Sequence, residues 1–174
     1  MSTARCSEAI AAERQAVDLI PLPQYVGALG DMLSAAGKAA AAKKQYALIG
    51  AIEKVLAANG VRTDLEIALF QVDHGIELRH ALDRARVGRA ERPSIDGDDV
   101  LGWALARNGH CAEALPYSQR ALRLGTQDAL KFFHRGMIER CLGHGTARTW
   151  FRRAIALNPH FSILWAPVAK RYGA

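Results

Sequence analysis

Apolar residues follow helical spacing over most of the chain, and glycine interrupts the spacing at regular places. Gly37, Gly75, Gly109 and the pair Gly143 and Gly145 each stand a few residues ahead of an alanine: Ala42, Ala81, Ala114 and Ala147. Together with Ala9, these alanines are separated by 33, 39, 33 and 33 residues. Glycine is the usual residue where a helix ends and the chain turns, so each period holds two helices and the unit reads helix, short turn, helix, connector. The second helix starts at the alanine and has another small residue two turns later on the same face, at Ala16, Gly88, Ala121 and Ala154. Pro21, Pro93 and Pro159 end three of these helices, because the proline ring cannot continue the hydrogen-bond ladder. The first helix of a unit places a small residue after an apolar one, as in Leu29-Gly30 and Leu101-Gly102, or four residues after Phe132 at Gly136. Small residues are expected where neighbouring helices cross.

These spacings resemble the tetratricopeptide repeat, whose pattern is Trp-x2-Leu-Gly-x2-Tyr, then Ala-x3-Phe, then Pro, over about 34 residues. The best match is Phe132, Gly136, Ala147-x3-Phe151, Ala154 and Pro159, followed by Val26-x2-Leu29-Gly30-x2-Leu33 with Ala42-x3-Tyr46, and by Leu101-Gly102-x2-Leu105 with Ala114. The resemblance implies an all-α fold, an α-solenoid of helix-turn-helix repeats wound as a right-handed superhelix, with residues 1–174 forming a single array. Residues 5–22 would supply the second helix of a partial repeat. Repeats then follow at 23–61, with a second helix extended to near Asn59-Gly60, at 62–94, 95–128 and 129–161, and residues 162–174 form a closing helix. The 62–94 unit is degenerate, with Leu69 in the glycine place and Gly88 in the alanine place. The closing segment, Trp165-x2-Val168-Ala169-x2-Tyr172, repeats the opening of a unit, and Pro167 is expected to bend it or delay its start.

For function, the resemblance implies a non-catalytic module that holds a peptide or helix of another protein in a groove lined by the first helix of each unit. Projection of those helices gives Glu66, Ile67, Phe70, Asp73 and His74, then Asp99, Val100, Trp103 and Arg107, then Phe133, His134, Met137 and Arg140. The binding residues expected are Ile67, Phe70, Val100, Trp103, Arg107, Phe133, His134, Met137 and Arg140. Aromatics beside arginine are common anchors of a binding surface, so the expected partner has apolar anchors and acidic residues. The alternative for Trp103 and Phe133 is packing between helices. One subtype of the family clamps a terminal carboxylate with lysine, asparagine and arginine; the matching places here hold Gly27, Asp31, Glu66, Phe70, Asp99 and Trp103, so that clamp is not expected.

Composition agrees with a helical chain. Half of the 174 residues are apolar and only 7% are aromatic, enough for one core with little strand. Three cysteines, Cys6, Cys111 and Cys141, form no disulfide framework and read as reduced thiols. The N-terminus has no apolar run and no window reaches the length of a spanning helix, so a soluble, cytoplasmic chain without membrane contact is expected. The first helix, with Ile10, Val17 and Leu19, lacks a partner helix within its unit; it packs on the next unit alone, or a second copy or a further domain covers it.

Rival chemistries are weaker on residue type and spacing. His110-Cys111 and Cys141-x2-His144 fall in consecutive turns, which could bring four zinc ligands to one edge, but there is no CxxC pair and cysteine is often buried as a small hydrophobe. Asp96, Asp98 and Asp99 are expected to cap a helix after Pro93-Ser94 rather than hold magnesium. Gly30 and Gly37 have the wrong spacing for a phosphate loop. No catalytic constellation and no cofactor are expected. The net charge of +6 is concentrated in residues 95–174, where Arg148 and Arg152 share a helix face, so RNA binding through this basic half is the alternative function. It lacks the interleaved aromatics of single-strand sites, and a solvated face is preferred.

Overall fold

A computed structural model describes residues 3–174, with side chains from Cys6 onward. Ten helices and no strand occur among the described residues: α1 (Thr3–Leu19), α2 (Pro23–Ala35), α3 (Ala39–Ala58), α4 (Asp64–His74), α5 (Leu78–Glu91), α6 (Ile95–Arg107), α7 (Cys111–Ala121), α8 (Ala129–Cys141), α9 (Ala147–Leu157) and α10 (Ala166–Gly173). None of them is long and apolar enough to cross a membrane.

Local chemistry sets the helix ends. Pro23 opens α2, where its missing N–H costs no intrahelical bond. Asp128 caps α8 by accepting the N–H groups of Leu130 and Lys131 at 2.8 and 3.1 Å. At α6 the cap is Ser94, whose hydroxyl accepts the Gly97 N–H at 2.9 Å, and not one of the acids that follow it. Asp98 instead turns inward, 2% exposed, and meets Arg89, Arg120 and Arg123 at 3.1, 3.4 and 2.9 Å. The helices α6 and α8 end alike. Gly109 and Gly143 take φ of 84° and 72°, and the next residues, His110 and His144, donate back to the carbonyls of Leu105 and Glu139 at 2.9 Å. Only glycine adopts that left-handed backbone without a steric penalty.

Helices pack as consecutive pairs, α2 with α3, α4 with α5, α6 with α7 and α8 with α9. The first helices also touch in series, α2 to α4, α4 to α6 and α6 to α8, while α1 lies on α2 and α10 on α9. The small residues do lie at crossings. A Cβ on Gly136 would stand 2.7 Å from Phe151 Cε1, one on Gly88 2.8 Å from Leu65 Cγ, and one on Gly102 3.3 Å from the Ser118 backbone nitrogen. One apolar cluster runs from Leu65 on α4 to Ala169 on α10. A smaller one, Ile10, Leu29, Leu33 and Ala42, holds α1 to α3, and Val26, Ile49 and Ile67 join α2 and α3 to α4.

The expectation of three reduced thiols is corrected by the fold. The turns after α6 and α8 share an edge, and Cys111 and Cys141 meet there as a disulfide with Cα atoms 6.2 Å apart, leaving Cys6 as the free cysteine. The repeat spacing does bring the two cysteines to one edge, but it assigns them as buried thiols or metal ligands and not as a bonded pair.

Candidate functional site

Helices α4, α6 and α8, which touch in series, bring an aromatic and charged cluster together. Trp103 on α6 is 1% exposed, and its indole lies parallel to His134 of α8, with centroids 4.6 Å apart and planes at 13°. Its Nε1–H donates to Asp73 Oδ1 on α4 at 2.8 Å. The same oxygen accepts the Nε1–H of Trp165, also at 2.8 Å, from the segment between α9 and α10. The Trp165 ring stacks on Phe133 at 5.4 Å and meets Trp103 edge-on at 5.6 Å. Arg107, one helical turn beyond Trp103, holds its guanidinium carbon 5.4 Å from the Trp103 ring and 5.3 Å from the Trp165 ring. Its Nη1 is buried and has no hydrogen-bond partner among the described residues.

Electrostatics follow from this burial. Desolvation raises the Asp73 carboxyl above the usual carboxylate range, opposed by nearby His134 and by the two indole donors. Burial lowers the Arg107 guanidinium, with Asp73 acting the other way. His134 is fully buried; its Nδ1 lies 2.9 Å from Asp99 Oδ2, while Nε2 has no partner among the described residues. The carboxylate fixes the tautomer, because Asp99 as an acceptor requires the proton on Nδ1.

A second cluster lies toward α2. Asp31 Oδ1 accepts the Tyr46 hydroxyl at 2.7 Å and lies 2.8 Å from His74 Nε2, whose Nδ1 is 2.8 Å from the Phe70 carbonyl. Both His74 nitrogens therefore face acceptors, which requires the doubly protonated imidazolium. Burial lowers the His74 pKa, but hydrogen bonds to Asp31 and the Phe70 carbonyl, with the charges of Asp31 and Asp73, outweigh it and the net direction is up.

The nine residues expected to bind a partner thus divide. Trp103, Phe133, His134, Ile67 and Val100 are buried. Phe70, Arg107 and Met137 are half-buried, and Arg140 is exposed with its guanidinium 4.3 Å over Tyr172 of α10. The structure joins Trp103, Arg107, Phe133 and His134 in one cluster, and places Phe70 in the other with Tyr46 and His74. Glu66 faces away, paired with Arg92 at 2.8 Å. Sequence reasoning missed Trp165, which it places in the closing helix of residues 162–174 and not among the binding residues.

Searches find no protein-family model that matches the chain, and no curated protein that matches it. No group of three or more His, Cys, Asp or Glu side chains is placed to hold a metal among the described residues.

Proposed function

We propose that the chain is a non-catalytic interaction module, a tetratricopeptide-type array whose groove, lined by α2, α4, α6 and α8, holds a peptide of a partner protein. The observation that supports it most is the serial contact of the first helices, which lines up one inner face across four helix pairs. That face holds aromatic rings, a buried arginine nitrogen and the exposed Arg140, chemistry suited to a peptide with apolar anchors and acidic groups. RNA binding by the basic half has less support. Arg148 and Arg152 donate to the carbonyls of Ala174 and Gly173, and Arg153 lies over the Phe132 and Trp150 rings, so these side chains are already engaged.

Affinity capture from native lysate at two salt concentrations, comparing wild type with Met137→Asp/Arg140→Glu, tests the reading. A protein retained by wild type and lost by the equally folded variant supports the groove. Nucleic acid captured by both chains and released at high salt would replace it with the RNA reading.

A further inference from the structure

Two rings of the cluster on α4, α6 and α8, Phe161 and Trp165, come from the irregular segment between α9 and α10. Helix α9 ends at Leu157, Pro159 prevents its continuation, and the backbone runs without helix to Trp165 before α10 begins. Local bonds shape this segment: the Asn158 side chain accepts the His160 N–H at 2.9 Å, and Ser162 Oγ accepts the Trp165 N–H at 3.2 Å. From there Trp165 reaches back 92 residues to Asp73, and Phe161 lies 5.7 Å from Phe133.

We propose that the segment from Asn158 to Trp165 is a built-in occupant of the groove, and that the partner is a peptide whose tryptophan displaces Trp165. The proposal rests on the groove reading above and names the chemistry of the occupant. Asp73 takes two indole donors on one oxygen, but the donors are not equivalent. Trp103 lies inside α6 and is 1% exposed, whereas Trp165 is half-buried and stands at the N-cap of α10, at the end of an irregular segment. Removing Trp165 leaves Trp103 in place. It strips from Asp73 one of its two indole donors, and from Arg107 one of its two ring faces.

The site so exposed states what refills it. A replacement must offer an N–H to a desolvated carboxylate, a flat ring to Phe133, and a π-face to Arg107. Phenylalanine supplies the ring and no donor. Lysine or arginine supplies donors but sets a second cation against Arg107. Tryptophan meets all three requirements, and a carbonyl or carboxylate beside it would satisfy the unpartnered Arg107 Nη1.

The experiment uses the full chain, wild type and Trp165→Ala, with a dye-labelled synthetic peptide of residues 158–167, NPHFSILWAP, read by fluorescence anisotropy. The peptide is expected to bind Trp165→Ala at least about tenfold more tightly than wild type. Its Trp165→Phe counterpart should bind that chain about tenfold more weakly, the loss expected when one buried hydrogen bond is removed. Equal affinity for both chains would show that the segment does not compete, overturning the proposal while leaving the groove reading intact. Equal affinity of both peptides would overturn the requirement for an indole. Binding to neither chain, with circular dichroism unchanged, would overturn the groove reading as well. If Trp165→Ala does not fold, a Trp165→Phe chain, which keeps the ring and drops the donor, takes its place; it must bind the tryptophan peptide more tightly than wild type, and equal binding overturns the proposal.

Discussion

Replacing glycine by alanine should have opposite effects at Gly136 and Gly50, although both are inside helices. Alanine is favoured over glycine in a helix interior by about 1 kcal/mol, so the change is stabilising wherever space allows. At Gly50 on α3 nothing lies within 4 Å of the new Cβ, and Gly50→Ala should raise stability by roughly 0.5–1 kcal/mol. At Gly136 on α8 the Cβ would stand 2.7, 2.8 and 3.1 Å from Cε1, Cδ1 and Cζ of Phe151. Phe151 is 1% exposed and held between Phe133 and Tyr172, with ring centroids at 5.9 and 5.5 Å, so it cannot swing aside. Overpacking of a tight core costs about 1–3 kcal/mol, which exceeds the helix gain. With three atoms of a fixed ring this close, the cost takes the upper part of that range, about 2–3 kcal/mol, and Gly136→Ala should lose about 1–2 kcal/mol net. Guanidinium denaturation of the three proteins, followed by circular dichroism, measures both changes. A Gly136→Ala chain as stable as wild type would refute the close α8–α9 crossing.

Other outcomes follow from the charge and sulfur chemistry. The raised His74 pKa means that its contribution is complete below the unfolded value near 6.5 and is lost as pH rises through the folded value. Wild type should thus show a fall in urea midpoint from pH 6 to pH 8 that His74→Gln lacks; equal falls would exclude the Asp31–His74 pair as its source. Asp98→Asn leaves three arginines without their shared acid and should cost about 2 kcal/mol, less than the loss of a fully buried pair because the arginines are 33–45% exposed. Added salt should restore part of that loss, and an unchanged melting curve would contradict the arrangement. The Cys111–Cys141 link, with a separation of 30 residues, should contribute about 3.6 kcal/mol by loop closure, seen as a lower melting temperature with reductant. Alkylation of both thiols without reductant would disprove the link.

What the sequence made legible is local. Glycines placed the turns after α2, α4, α6 and α8, and Pro167 delays α10 to Ala166, because each acts through its own backbone geometry. The crossings at Gly30 and Gly136 were readable because small residues recur at fixed offsets from the alanines. The rotation of each first helix was not: a shift of one position decides whether Trp103 is exposed or packs on the neighbouring helix, and tertiary contacts set it. The Asp73–Trp165 contact left no sequence signal, because an irregular segment makes it across 92 residues. The acid cluster after Ser94 shows the same limit. Its place at the start of α6 suggests a cap, but Asp98 is engaged by arginines from α5, from the last turn of α7 and from the turn that follows it, which only stacking brings near.

The central claim is that Trp165 closes the groove on Asp73, and an assigned nitrogen–proton spectrum of the three tryptophan indoles tests it most directly. Two donors on one oxygen put the Trp103 and Trp165 indole protons within nuclear Overhauser range. Asp73→Asn should shift both of their signals and leave that of Trp150 in place. A Trp165 indole that exchanges freely with solvent, shows no contact with Trp103 and ignores the Asp73 substitution would contradict the account.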